Sequence, residues 1–191
     1  MNEIEVVGRD VLTHSRLDAF QRCRRYHYNA YVLGVRPVPS DDLYLGTVVH
    51  EAVATIHSQR TPAEAIADIQ NRYASQMESA QTEERVLQLA IDCEKAVCLV
   101  EGWNRRWVGT SIEQAGIIAV EQSFSIPLLN PDTGLASRTY TLAGKIDAIV
   151  RLEDGRLAVY ELKTMSDDLT VGSDYWKTKQ LDPQIARYLI A

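Results

Sequence analysis

The stretch TLAGKIDAIVRLEDGRLAVYELKT, residues 141–164, predicts two β-strands joined by a tight turn. In the first strand apolar and polar side chains alternate, which is typical of a strand that buries one face. The apolar face is formed by Tyr140, Leu142, Ile146, Ala148, Val150 and Leu152. Asp147 lies on the opposite face. The second strand, 157–163, places Glu161 and Lys163 on one face, because side chains two residues apart point the same way.

The length of the turn decides whether Asp147 and Glu161 share a face. A two-residue loop would put the two carboxylates on opposite sides of the sheet. A three-residue loop, 153–155, pairs Asp147 with Glu161 and suits Gly155 in a left-handed conformation beside a bulge. Opposed side chains lie about 5 Å apart, and two carboxylates at that distance repel unless a divalent cation or a shared proton lies between them. We therefore expect the three-residue loop and a metal ion.

Three further motifs accompany this hairpin. They are SRLDAFQRCRRY at 15–26, GTVVHE at 46–51 and QIARY at 184–188. The second opens a helix with one apolar stripe and carries His50. The third places Gln184 and Tyr188 on one helix face, because they are four residues apart. The Asp147 and Glu161-x-Lys163 pattern alone also fits a charge cluster on a solvated sheet face, so these companions decide how it is interpreted.

Together the four motifs resemble those of the PD-(D/E)XK nuclease superfamily, and in particular its RecB-like exonuclease branch. That branch has an S-x-L-x-x-F-x-x-C helix, a G-x-x-x-H helix, an Asp…Glu-x-Lys hairpin and a Q-x-x-x-Y helix, in the order found here. The resemblance covers residues 15–188, nearly the whole chain.

The resemblance implies a metal-dependent DNA nuclease, and an exonuclease of recombination, repair or phage DNA processing in particular. The metal ligands it implies are His50, Asp147, Glu161 and the backbone carbonyl of Leu162. The ion would be Mg²⁺ or Mn²⁺, one or two per site, with the nitrogen ligand favouring Mn²⁺. The catalytic residues it implies are Asp147, Glu161, Lys163, Gln184 and Tyr188. Lys163 would orient the attacking water or stabilise charge on phosphorus, while Gln184 and Tyr188 would position the phosphate or the nucleophile.

The implied fold is α/β and restriction-endonuclease-like, with a small mixed β-sheet flanked by helices. The expected strands are 117–128, 138–152 and 156–163. A helical insert is expected over 61–108, starting with a capping box at Thr61, and plain core support is its favoured role. We expect the whole chain, 1–191, to form one domain. Because the family fold continues beyond the last helix, 183–191, its C-terminal part is expected to be missing.

The net charge, apolar content and cysteines of the chain limit the classes of function that it can have. A net charge of −6 and a pI near 5.2 argue against a protein that coats nucleic acid through bulk charge. They leave room for a nuclease whose local basic patch and bound cations meet the phosphates. No apolar run approaches the length of a membrane span, and the N-terminus lacks a secretory leader. The three cysteines form no disulfide framework. A cytoplasmic protein without membrane association is therefore expected.

DNA is the expected partner. The residues expected to bind its backbone are Arg22, Arg24, Arg25 and Tyr26, in the most basic segment of the chain, and Lys177 and Lys179, in a polar loop after the hairpin. A surface helix whose arginines pair with acidic neighbours explains the first group equally well. The resemblance also leaves room for a helicase or recombination partner.

Two other cofactor sites are disfavoured. In some RecB-like nucleases a cysteine at the position of Cys23 holds an iron–sulfur cluster with three more cysteines after the Q-x-x-x-Y helix. The chain ends at Ala191, so no cluster is expected. A zinc site made from His14, Cys23 and His27 lacks the spacing of a closed tetrahedral site.

The rival function is a catalytically inactive, nuclease-like domain that binds DNA or acts as a scaffold in a larger complex. The intact set of Asp147, Glu161 and Lys163 favours the enzyme. Glu121 could assist with a second cation, although an ion pair at the end of the sheet is the favoured interpretation of that residue.

Overall fold

The computed structural model describes residues 10–108, 116–179 and 182–190. The chain divides into two compact units. The first comprises Met1–Pro37, Ser123–Ile146 and Ser166–Ala191, and the second comprises Val38–Gln122 and Asp147–Met165. That the whole chain acts as one domain stays a prediction.

Within the described ranges, four strands form a mixed sheet. They are β1 (Asp10–Leu12), β2 (Gly116–Leu129), β3 (Ala136–Arg151) and β4 (Leu157–Tyr160). β3 is hydrogen-bonded to the three others, running parallel to β1 and antiparallel to β4. The expected small mixed sheet is confirmed. The expected strand 156–163 is too long, because β4 ends at Tyr160 and the following residues leave the ladder.

The turn between β3 and β4 has the expected register. Ala148 lies opposite Tyr160 and Arg151 opposite Leu157, so the same register carried one pair further places Asp147 opposite Glu161. The Leu152 amide donates to the Arg156 carbonyl over 2.8 Å, which leaves a three-residue loop. Gly155 has a φ of +84°, a left-handed conformation that glycine adopts without a Cβ penalty. The three-residue loop is confirmed.

Three long helices form the core of the second unit. They are α3 (Asp41–His57), α4 (Pro62–Ser79) and α5 (Glu83–Trp107). The expected insert is confirmed as helical, and Thr61 and Glu64 close the expected capping box at the start of α4. The buried side chains that join the three helices are Val48, Val49, Ala52, Ala65, Ile69, Tyr73, Leu89, Cys93, Ala96 and Val100. Leu162 packs against this core from the end of the hairpin.

The helices of the first unit are shorter. They are α1 (His14–Arg22), α2 (Arg24–His27), a π-helical turn (Tyr28–Val32), α6 (Asp174–Lys179) and α7 (Pro183–Ile190). α7 is the helix expected at 183–191. The polar stretch expected to be a loop contains α6. In the part of the chain that the structure describes, no helix has the length and apolar character needed to cross a membrane.

His57, at the end of α3, is a buried polar side chain. Its ring lies edge-on to those of Trp103 and Tyr160, with 5.3 Å between ring centroids in each pair. Burial lowers the pKa of His57, although the negative charge of Asp147 acts in the opposite direction. The folded chain therefore favours the neutral ring.

Acid is expected to weaken the fold through His57. Since its pKa is lowered in the folded state, the unfolded chain takes up the proton at a higher pH than the folded chain does. The free energy of unfolding then decreases as the pH falls below about 6.5, until the lowered pKa is reached. Urea unfolding between about pH 7.5 and pH 5.5 measures this slope. The H57N variant should show a shallower slope than the wild type, and equal slopes would contradict the assignment.

Candidate active site

Side chains from four segments of the second unit line one small cavity. α3 contributes His50, β2 contributes Glu121, β3 contributes Asp147, and the stretch after β4 contributes Leu162. The cavity has a volume of about 10 Å³, roughly the space of a single water molecule. Its remaining walls are Val53, Ala54, His57 and Tyr160.

Asp147 contacts both the helix and the hairpin that form this site. Its Oδ2 lies 3.4 Å from Nδ1 of His50 and accepts a 2.8 Å hydrogen bond from the backbone amide of Leu162. The helix places His50 beside the buried stripe that contains Val49 and Val53, so its ring lies at the border of the core. The structure therefore brings together three of the residues expected to hold a metal ion.

The ionised form of Asp147 is favoured in spite of its partial burial. Desolvation acts to raise its pKa, but the hydrogen bonds with His50 and with the Leu162 amide and the nearby charges of His50 and Lys163 together outweigh that effect. The pKa of Asp147 is therefore below its ordinary value, which suits a carboxylate that accepts hydrogen bonds.

Glu161 behaves in the opposite way. It forms an ion pair with Lys163, and its side chain is only 10 % exposed. Burial raises the pKa of Glu161, Lys163 opposes the rise, and the negative charge of Asp147 adds to it. The two carboxylates are thus close enough for the charge of one to hinder ionisation of the other.

The donor atoms of this site fit a hard divalent cation. One imidazole nitrogen, two carboxylates and a backbone carbonyl are ligands that suit Mg²⁺ and Mn²⁺. Across 10–108, 116–179 and 182–190, no three His, Cys, Asp or Glu side chains already converge as a ready-made metal cluster. Asp147 is bound to His50 and to the Leu162 amide, and Glu161 to Lys163. A cation would compete with those contacts.

Glu121 occupies an unusual backbone conformation in the middle of β2. Its φ is +52°, in the left-handed region that non-glycine residues avoid. The pattern of exposure also changes there: residues 117 and 119–121 are the less exposed ones up to this point, and 124, 126 and 128 after it. The left-handed residue and the two successive exposed positions after it, 122 and 123, interrupt the regular alternation of β2.

Gln184 and Tyr188 belong to α7 in the first unit. Nε2 of Gln184 donates a 2.7 Å hydrogen bond to the Tyr188 hydroxyl, which confirms that they share one helix face. The Tyr188 ring lies edge-on to Phe124 at 6.0 Å between centroids. Gly144 on β3 leaves room for both rings, since a Cβ there would lie 2.7 Å from Cζ of Phe124 and 3.5 Å from Cε1 of Tyr188. Their part in catalysis stays a prediction.

The side chains expected to contact DNA are also in the first unit. Those on α1 and α2 are all exposed, namely Arg22, Arg24, Arg25 and Tyr26. Arg22 lies 3.5 Å from Asp18, and Arg24 lies over the Phe20 ring at 5.5 Å. Lys177 and Lys179 lie on α6, where each forms an ion pair with a nearby aspartate.

The comparison with known families decides the identity of the fold. The family model for the PD-(D/E)XK nuclease superfamily matches residues 11–191. The chain belongs to this superfamily. No curated protein matches the chain. The α/β, restriction-endonuclease-like fold expected from the sequence is confirmed by this match and by the mixed sheet. That Asp147 is the first acidic residue of the PD-(D/E)XK pattern, and Glu161-Leu162-Lys163 its (D/E)XK triplet, stays a prediction from the sequence.

Replacing Gly144 with alanine is expected to destabilise the first unit. The new methyl group would overlap Phe124 and displace its ring or that of Tyr188, and overpacking of this kind costs about 1–3 kcal/mol of unfolding free energy. The matched control is G102A on α5, where a Cβ meets no atom within 4 Å. This control should gain up to about 1 kcal/mol. Urea denaturation of both variants checks the prediction, which fails if G144A is as stable as the wild type.

Proposed function

We propose that this chain is a Mg²⁺- or Mn²⁺-dependent deoxyribonuclease of the RecB-like branch that hydrolyses phosphodiester bonds. The observation that carries the proposal is the contact of Asp147 with His50 and with the amide of Leu162, next to the buried Glu161–Lys163 pair. In this proposal, these residues occupy the positions that the superfamily motif reserves for metal binding and catalysis. An exonuclease acting in recombination, repair or phage DNA processing is the form we favour, on the order of the four sequence motifs.

The metal ligands in this proposal are His50, Asp147, Glu161 and the carbonyl oxygen of Leu162. When bound, the cation supplies polarisation of the scissile phosphate and lowers the pKa of a coordinated water. The lowered pKa of Asp147 keeps that carboxylate ionised at neutral pH, as a metal ligand requires. The partial burial of both carboxylates strengthens their electrostatic interactions relative to those in bulk water.

Lys163 supplies a positive charge beside this carboxylate pair. In the structure that charge is paired with Glu161. On metal binding to Glu161, the ammonium group of Lys163 would be available to orient the attacking water or to stabilise negative charge on the phosphate. In our proposal Gln184 and Tyr188 position the phosphate or the nucleophile, with their mutual hydrogen bond fixing both side chains.

The DNA backbone would contact the exposed basic surface made of Arg22, Arg24, Arg25 and Tyr26. Because the chain as a whole is acidic, attraction to phosphate depends on such local patches. Lys177 and Lys179 would extend the contact once DNA displaces their aspartate partners. A helicase or recombination protein is the proposed macromolecular partner. The cytoplasm is the proposed compartment, because Cys23, Cys93 and Cys98 are free thiols, as is usual in a reducing compartment.

Calorimetry with Mn²⁺ tests the metal site. The wild type is expected to bind one or two ions, and D147A is expected to lose most of that affinity because it removes a ligand that also contacts His50 and Leu162. The matched control is D154A, which removes an exposed aspartate paired with Arg156 in the hairpin loop. This control should bind Mn²⁺ like the wild type. A wild type that binds no divalent ion would refute the proposal.

Cleavage of single- and double-stranded DNA then separates the enzyme from its rival. Metal-dependent cleavage by the wild type and its loss in D147A support the nuclease. Ion binding without cleavage of either substrate would instead support the scaffold function, in which the domain binds DNA but does not hydrolyse it.

Salt dependence of DNA binding tests the basic surface. Replacing Arg24 and Arg25 with alanine should weaken duplex binding and reduce the slope of log K against log salt by about 0.9 for each lost phosphate contact. The control is R156A, an exposed arginine already paired with Asp154, which should keep the wild-type slope. Fluorescence anisotropy in Ca²⁺ without cleavage-supporting ions measures both. An unchanged slope in the double variant would locate the DNA contact elsewhere.

A further inference from the structure

The (D/E)XK triplet lies beyond the regular part of the sheet. The paired residues of β3 and β4 end at Ala148 and Tyr160, so the ladder stops one residue before Glu161. The next backbone amide in this line, that of Leu162, donates to the side chain of Asp147 in place of a main-chain carbonyl. The position of the triplet therefore depends on side-chain contacts more than that of an ordinary strand does.

One contact of the residue before Glu161 joins the end of β4 to helix α5. Nε1 of Trp103 donates a 2.9 Å hydrogen bond to the hydroxyl of Tyr160. Trp103 is only 8 % exposed, and the ring of His57 lies edge-on to both partners. Removing the acceptor would leave a buried indole N–H to be satisfied elsewhere, which makes this bond costly to break.

The residues that follow Tyr160 also contact the helices of the second unit. Leu162 packs against the core of α3, α4 and α5. Thr164 lies against α3, where a Cβ on Gly46 would come within 3.0 Å of its Oγ1. Tyr160, Leu162 and Thr164 alternate with Glu161 and Lys163, as the two faces of an extended segment do. One face of the segment is thus held by the helices, and the other carries the carboxylate and the ammonium group.

We propose that Trp103 is a positioning residue for the nuclease reaction. Through its hydrogen bond to Tyr160, the residue directly before Glu161, helix α5 sets where the carboxylate of Glu161 and the ammonium group of Lys163 lie. The helical insert is then part of the apparatus that orders the active site, and not core support alone. This inference rests on the proposed nuclease function, and it adds to that function a residue outside the sequence motifs.

The test compares W103F and Y160F, each of which deletes one partner of the hydrogen bond and keeps an aromatic ring. The control is W107F, which removes an indole N–H one helical turn further along α5. Hydrogen exchange of the segment 160–164, measured on the metal-free full-length chain, should be faster in W103F and Y160F and unchanged in W107F. This readout needs neither metal nor substrate.

Kinetics with Mn²⁺ and DNA give the second readout. In W103F and in Y160F, kcat should fall by about tenfold or more, because small displacements of catalytic groups slow chemistry strongly. KM for DNA should stay within about twofold, since the DNA-binding surface is untouched. The double variant should be no slower than the slower single variant, because both substitutions delete the same bond.

Other outcomes would overturn the inference. Exchange and kcat like those of W107F in both variants would show that the bond does not position the triplet. Fully additive losses in the double variant would show that Trp103 and Tyr160 act separately. A wild type that neither binds Mn²⁺ nor cleaves DNA would refute the nuclease itself, and the exchange of the segment 160–164 would still decide whether Trp103 orders it.

Discussion

The hydrogen bond from the Leu162 amide to Oδ2 of Asp147 is the contact on which the site depends. It continues the sheet beyond its last regular pair by using a carboxylate oxygen as the acceptor. The same oxygen faces His50, so one atom links the hairpin to helix α3. Removing this acceptor would leave a partly buried amide without that partner, at a cost of about 1–3 kcal/mol. The carboxylate of Asp147 therefore has two tasks: it accepts a backbone hydrogen bond that holds the hairpin, and it is a proposed ligand of the metal ion.

Much of the hairpin could be predicted from the sequence because its signals are local. Alternation of apolar side chains identified the strands, and Gly155 suited the three-residue loop that places Asp147 opposite Glu161. The end of β4 at Tyr160 could not be predicted in this way. An extended segment keeps the same alternation whether or not its backbone is paired, so the pattern does not show where the ladder stops.

Contacts that depend on packing were beyond the reach of the sequence. The distance between His50 and Asp147 is set by how α3 lies against the hairpin, and the motif supplied the pairing only through family resemblance. The bond between Trp103 and Tyr160 joins residues 57 positions apart, and a repeating sequence pattern does not predict a pair at that separation. β1 and α6 were missed for a simpler reason, since elements of three and six residues are too short to establish a period.

Glu121 shows what such a geometry means for the evolution of the chain. Glycine or asparagine would adopt its left-handed backbone at lower cost than glutamate. Laboratory evolution for heat resistance alone would therefore favour those residues at position 121. Retaining a carboxylate on the wall of the cavity requires the opposite choice. A substitution at position 121 that stabilises the fold would thus remove a carboxylate from the wall of the cavity.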